Sequence, residues 1–234
     1  MTTDRLYAIM PLFCRERWCM TTPPGFSAPH EQLARITDSL AQHGYGIFPA
    51  LFDAATCHAL ATECRREQQA GEFRPAGVGR GDGWMVREDI RSDHIRWLSP
   101  NDCGEQQGHY LAWLEAYRQV LNQELFLGLV EFEGHGALYP PGSFYQRHLD
   151  QFRGNNQRTV TAILYLNEDW RAEDGGQLRI ELEDGKTLEV LPEQGTFVTF
   201  MSERYWHEVL PATRDRLSLT GWFKTRPIDG SVGP

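Results

Sequence analysis

The stretch Tyr139-Pro140-Pro141-Gly142-Ser143-Phe144-Tyr145-Gln146-Arg147-His148-Leu149-Asp150 decides how the chain is read. Leu129 to Tyr139 is suited to a strand, Pro140-Pro141-Gly142 is turn chemistry, and Ser143 to Leu149 resumes an extended run. Alternate residues of a strand face the same side, so the His148 imidazole and the Asp150 carboxylate are expected to project side by side. Of the eight histidines only His148 has a carboxylate at +2. His207 lies in a second strand-like stretch, Tyr205 to Leu210. Brought beside the first pair, it would complete two imidazoles and one carboxylate on one face of a metal, an open-sided set that suits non-haem Fe(II). The same residues also allow a plain surface pair at His148–Asp150 and a packed core histidine at 207.

Outward from this stretch the C-terminal half is a series of short β segments: Leu129–Tyr139, Ser143–Leu149, Thr159–Leu166, Gln177–Leu182, Leu188–Leu191, Thr196–Phe200, Tyr205–Leu210 and Leu217–Lys224. Glycine, proline and aspartate separate them, as at Asp174-Gly175-Gly176 and Asp184-Gly185. That spacing predicts a closed antiparallel architecture, a sandwich or a double-sheet jelly roll of about eight strands. Before it, Leu33, Ile36 and Leu40 fall at helical spacing, Gly44 to Phe48 reads as a short strand, and Asp53 is a good N-cap for a helix to about Gln69. Asp93 to Leu98 alternates like a half-buried strand, and Gly104 to Phe126 is the strongest helix. Its stripe of Leu111, Leu114, Tyr117, Leu121 and Leu125 should pack on a sheet. The plan is α+β, a helical layer over 29–126 buttressing a β core over 127–226, with 29–234 as one domain. Residues 1–28 look irregular, little function is expected there, and Met20 could be an alternative start.

A formal net charge of −9 without a basic run argues against nucleic-acid binding, which needs phosphate neutralisation. Five cysteines without a CxxC argue against a disulfide framework or a zinc finger, and Cys57 and Cys64 read as core thiols on a helix. No apolar run approaches the ~20 residues of a membrane span. The chain therefore reads as a soluble, cytoplasmic protein, with a monomer the expected state. The glycine- and arginine-rich Gly71 to Gly83 lacks the lysine of a phosphate-binding loop; it reads as a mobile loop beside a site or as a plain surface loop.

Arg216 opens the last strand, soon after His207. Buried, it would need a carboxylate, and its planar fork matches one bidentately. Tyr165 could offer a hydroxyl to the same group. A surface pairing of Arg216 with Asp215 or Glu208 is the alternative. Ile163, Leu178 and Val198 are candidates for an apolar lining.

From Tyr139 to Phe223 the chain resembles the 2-oxoglutarate- and Fe(II)-dependent dioxygenases. It is most similar to the prolyl hydroxylase branch that includes the animal hypoxia-inducible-factor hydroxylases and their bacterial relatives. The similarity rests on Tyr139-Pro140-Pro141-Gly142, Tyr145 to Asp150, Tyr165 to Trp170, Gly175 to Arg179, His207 to Ala212 and Arg216 to Phe223. The resemblance implies that His148, Asp150 and His207 hold Fe(II). Arg216 and Tyr165 would then take the distal carboxylate of 2-oxoglutarate, and Tyr139 would line that pocket. Arg158 and Trp222 match positions near a peptide substrate, and the stretch from Gly77 to Arg96, with Arg80 and Arg96, matches a loop that closes over it. It further implies a peptidyl-prolyl 4-hydroxylase type of activity, with O2 as cosubstrate, ascorbate as a supporting reductant and a proline-containing protein as partner. In the bacterial branch a described target is elongation factor Tu. The same chemistry on a free amino acid or small metabolite, or a non-catalytic metal-binding jelly roll, are the alternatives. Two departures sit at the site rim: Gln151 to Gln157 is one residue longer than in the animal enzymes, and Tyr139 to His148 one shorter.

Overall fold

A computed structural model describes residue 26 and residues 29–78, 85–151 and 157–227. Arg80 lies outside the described residues with the rest of 79–84, as do residues 1–25 and 152–156.

Three helices form where the apolar spacing asks for them: α1 (His30–His43), α2 (Ala54–Gln69) and α3 (Glu105–Leu125). Three of the termini have a clear physical stop or start. Gly44 takes a left-handed φ of 75° and returns its N–H to Leu40. The Asp53 side chain accepts from Thr56 N at 2.7 Å and opens α2. For α3 the cap comes from another helix, because the Glu63 carboxylate accepts the N–H groups of Gln106 and Gln107, each at 3.0 Å.

The strands are β1 (Tyr45–Phe48), β2 (Arg74–Pro75), β3 (Gly77–Val78), β4 (Met85–Val86), β5 (His94–Trp97), β6 (Leu129–Tyr139), β7 (Tyr145–His148), β8 (Arg158–Tyr165), β9 (Leu178–Glu181), β10 (Thr187–Val190), β11 (Phe197–Met201), β12 (His207–Val209) and β13 (Arg216–Thr225). All eight segments expected after residue 127 are present as β6 to β13. They divide into a major sheet, ordered β1-β11-β8-β13-β6-β5-β2, and a minor sheet, β10-β9-β12-β7, all antiparallel. This is the expected jelly roll. The change of texture near residue 127 does not mark the edge of the sheet, however, because β1, β2 and β5 complete it from the first half of the chain. The flanks of the glycine-rich stretch pair as a two-stranded ribbon, Gly77 opposite Val86 and Val78 opposite Met85.

Two cores follow from the alternation of the major sheet. One face, with Leu217, Leu219 and Phe223 of β13 and Leu164 of β8, packs under the helices. Leu114, Tyr117 and Leu121 of the expected stripe are buried there, and Leu111 and Leu125 flank them. Trp113 and Tyr117 set their rings edge-on to Phe197 and Phe223, with centroids 5.2 and 5.5 Å apart. Burying each such side chain is worth roughly 2–3 kcal/mol. Phe26 joins this core at 2% exposure, so the segment expected to be irregular contributes one anchor. The thiols of Cys57 and Cys64 lie in the same layer, each pushed up to about 12 by burial. The other face of the major sheet meets the minor sheet through Ile163, Val198, Phe200, Leu178, Ile180 and Val209. On the helix side β13 and β6 approach closely: a Cβ on Gly221 would stand 2.4 Å from the Glu133 carbonyl oxygen and 2.6 Å from Gly134 Cα.

Candidate active site

A cavity of about 650 Å³ opens between the two sheets, with Arg216 and Tyr139 at one end and Trp97, Arg96 and Arg158 among the lining elsewhere. The strands place its chemistry. In the minor sheet β7 and β12 are neighbours, and His148 and His207 are direct cross-strand partners. The two strands are edge-to-edge neighbours in one sheet and do not face each other across the roll. Register alone brings the imidazoles together, with ring centroids 4.2 Å apart.

Both rings are oriented from behind. The Nδ1 atoms lie 2.7 Å from the Gln146 carbonyl oxygen for His148 and 2.9 Å from the Tyr205 carbonyl oxygen for His207. A carbonyl can only accept, so each Nδ1 carries the proton and each Nε2 presents a lone pair. Those Nε2 atoms stand 3.6 and 3.5 Å from the two oxygens of Asp150. Asp150 itself sits in a bend just past the end of β7, so strand alternation does not explain its position. Its carboxylate accepts from the Thr161 hydroxyl at 2.8 Å, and Thr161 lies 2.9 Å from the Ser202 hydroxyl. Tyr145 stacks on His148 at 3.6 Å between centroids, and Phe200 sets its edge to His207 at 4.9 Å.

The electrostatics favour a cation at the centre. Burial works to raise the Asp150 carboxyl, but the imidazoles of His207 and His148 outweigh it and hold the group well below the usual carboxylate range. Burial, and then the neighbouring His148, lowers His207 to about 4, so its ring is neutral at pH 7. The donor atoms of His148, Asp150 and His207 all lie within 4.8 Å of one another. Two imidazole nitrogens and one carboxylate oxygen leave open positions and fit Fe(II).

Arg216 is 2% exposed. Its Nε donates to the Gly176 carbonyl at 2.8 Å, and its guanidinium carbon lies 5.0 Å from the ring centroids of both Tyr139 and Tyr165. Neither Asp215 nor Glu208 pairs with it, and Glu208 is taken by Arg179 at 2.9 Å. Among the described residues no carboxylate forms an ion pair with Arg216. The buried Tyr165 hydroxyl beside it has no hydrogen-bond partner, and burial pushes it up to about 12, so it remains a donor. A buried cation without an anion, next to an unpaired donor, fits one end of a dicarboxylate. The backbone that carries Arg216 is pinned. Asn167 donates to Leu217 O at 3.0 Å and accepts from Leu217 N at 2.7 Å. Gly176 must be glycine: its φ is +70°, and a Cβ would meet the Arg216 side chain at 3.2 Å.

At the rim, Arg158 bonds Glu133 at 2.7 Å and stacks over Trp222, its guanidinium carbon 3.4 Å from the ring centroid. Arg96 lines the cavity but is held by Glu72 at 2.6 Å, with Glu67 and Asp102 each at 3.4 Å. Of the expected apolar lining, Ile163 and Leu178 reach the cavity. Val198 is buried between the sheets, and Val209 serves instead. Sequence reading did not single out Thr161, Tyr145 or the buried Arg91–Asp93 pair, whose 2.6 Å contact backs the cavity beside Tyr145. Thr161 lies four residues before Tyr165 on β8, so alternation could have placed it on the cavity face.

Comparison with known proteins agrees with this geometry. The model of the 2OG-Fe(II) oxygenase superfamily matches residues 134–224. A solved prolyl-4-hydroxylase from Pseudomonas putida is 49% identical, with a TM-score of 0.76, over 83% of this chain and 99% of that one. Human Egl nine homolog 1 is 30% identical over 82% of this chain and 46% of its own length. The hypoxia-inducible factor prolyl hydroxylase of Caenorhabditis elegans is 29% identical over 80% of this chain and 27% of its own. The chain thus spans less than half the length of these two curated relatives. It belongs to the 2-oxoglutarate- and Fe(II)-dependent oxygenase superfamily, among the dioxygenases of prolyl hydroxylase type. Fe(II) and 2-oxoglutarate are the cofactor and cosubstrate of that family, and the His148–Asp150–His207 cluster fits the iron. Among the described residues no helix is long and apolar enough to cross a membrane.

Proposed function

We propose that this protein hydroxylates a prolyl residue of a protein or peptide, consuming O2 and 2-oxoglutarate and releasing succinate and CO2. The observation that carries it is one cavity holding an open-sided His148–Asp150–His207 cluster and, separately, the acid-free buried guanidinium of Arg216. A bare metal-binding module has no use for the second. Bound together, Fe(II) and 2-oxoglutarate supply the oxidising power that splits O2 and places one oxygen atom on a substrate carbon.

The chain's own residues do the rest. Gln146 and Tyr205 carbonyls fix the tautomers that present Nε2 to the metal, and Thr161 orients the Asp150 carboxylate. Arg216 and Tyr165 hold the far carboxylate of the cosubstrate, Tyr139 walls that end, and Ile163 and Leu178 keep it dry. Arg158, Trp222 and Arg96 face the substrate side. Residues 29–227 act as one catalytic unit. The prolyl assignment draws on the 49% identity to the Pseudomonas putida prolyl-4-hydroxylase across nearly all of that chain. The test is mass spectrometry of proline-containing peptides, including fragments of elongation factor Tu, after incubation with the protein. A gain of one oxygen that requires Fe(II) and 2-oxoglutarate and vanishes in His148→Ala is expected. Oxidation of free amino acids or metabolites alone, with no peptide modified, would overturn the prolyl assignment and leave the oxygenase.

A further inference from the structure

One polar group on the cavity wall has no work in this scheme. β13 and β6 run in register, Arg216 opposite Tyr139, Thr220 opposite His135 and Trp222 opposite Glu133, and all six residues line the cavity. His135 is 3% exposed and its Nδ1 has no hydrogen-bond partner. Two indoles flank the imidazole, Trp97 at 5.1 Å and Trp222 at 5.5 Å between centroids. Burial, followed by the nearby Arg91 guanidinium, lowers it to about 3, so the ring is neutral and offers one donor and one acceptor. A buried polar group left unpaired costs about 1–3 kcal/mol, a cost a ligand would relieve.

Position says which ligand. Along β6, His135 lies four residues from Tyr139, roughly 13 Å at the rise of a strand. That is away from the Arg216 end, where the diacid is clamped. It is close to the metal side, because Trp222 packs on His135 and is the cross-strand partner of Thr161, which holds Asp150. A group approaching the metal from the rim passes this ring.

We propose that His135 is a substrate-binding, specificity-determining residue whose imidazole hydrogen-bonds a main-chain amide or carbonyl of the peptide segment that carries the target proline. This rests on the peptide-hydroxylase reading above. The alternative is that His135 only fills space between Trp97 and Trp222, its nitrogen satisfied by a buried water.

The test uses the full chain with Fe(II), 2-oxoglutarate and a peptide that the wild type hydroxylates. His135→Leu removes the polar atoms at similar size, and His135→Asn restores one near Nδ1. The expected result is a peptide KM raised about fivefold to twentyfold by His135→Leu, the worth of one hydrogen bond, with a smaller change in kcat. The 2-oxoglutarate Kd stays within twofold, and His135→Asn recovers most of the peptide KM. His135→Met serves as the apolar variant if the leucine protein does not fold. A peptide KM within twofold of wild type in a folded apolar variant overturns the inference alone, as does an Asn variant no better than Leu. A wild type that modifies no peptide at all overturns both the inference and the reading beneath it.

Discussion

Replacing Arg216 by methionine removes the charge while keeping an unbranched apolar stem, and its effect on the cosubstrate follows from what surrounds it. Among the described residues the guanidinium donates through Nε to Gly176 at 2.8 Å and lies 5.0 Å from two tyrosine rings, with no acid paired to it. Loss of that hydrogen bond and packing, about 2–3 kcal/mol, is offset by removing an uncompensated buried charge, which costs several kcal/mol to desolvate. The metal-loaded protein without cosubstrate should therefore change in stability by no more than about 2 kcal/mol. Binding of 2-oxoglutarate is different. Truncating one partner of a buried charge pair costs about 2–5 kcal/mol, and each 1.4 kcal/mol is tenfold in Kd. Arg216→Met should weaken 2-oxoglutarate by about 30-fold to several thousandfold. Calorimetric titration under nitrogen, with Mn(II) in the metal position, reads this directly. A Kd within threefold of wild type, or a collapse of the cosubstrate-free protein, would show that Arg216 is a structural arginine and sink the clamp.

Three further outcomes follow from named contacts. Tyr165→Phe deletes a hydroxyl with no partner, so cosubstrate-free stability in urea should be unchanged or up to about 1 kcal/mol higher, while 2-oxoglutarate Kd rises about tenfold to a hundredfold. Thr161→Val removes the donor that orients Asp150 and should weaken Mn(II) by about tenfold to a hundredfold, read by paramagnetic resonance titration; unchanged affinity would show Asp150 to be held without it. His135 is held neutral to about 3 in the fold against about 6.5 unfolded, so below pH 6.5 the unfolded chain binds more protons and acid disfavours folding. Taking the metal-free protein from pH 7 to pH 5 should cost the wild type about 2 kcal/mol that His135→Leu keeps, a difference measurable as paired urea midpoints.

What could be read in advance depended on whether the signal was local. The eight C-terminal strands were legible because each is a short apolar alternation closed by glycine, proline or aspartate. The three helices were legible for the same reason, through stripes such as Leu114, Tyr117 and Leu121. Pairing between strands was not legible. Nothing in the text says that β12 lies beside β7 and not opposite it, since that depends on which edges meet in the closed roll. Asp150 shows a subtler limit. The same-face rule singled out the right partner for His148, yet Asp150 lies beyond the strand and is held by a hydroxyl on the other sheet. The resemblance gave Arg96 to a loop closing over substrate, and no local signal announced that Glu67, Glu72 and Asp102 converge on it from α2 and two loops.

The two sheets divide the work. The imidazoles belong to the minor sheet, fixed by one cross-strand pairing and by carbonyls two residues back on their own chain segments. The cosubstrate clamp belongs to the major sheet, fixed by the Arg216–Tyr139 register and by Asn167. Asp150 ties one to the other through Thr161. Arg158, Trp222 and His135 line the same cavity apart from both poles, on the side proposed for the substrate. Selection acting on the partner can therefore reshape one end of the cavity while the other end keeps its chemistry.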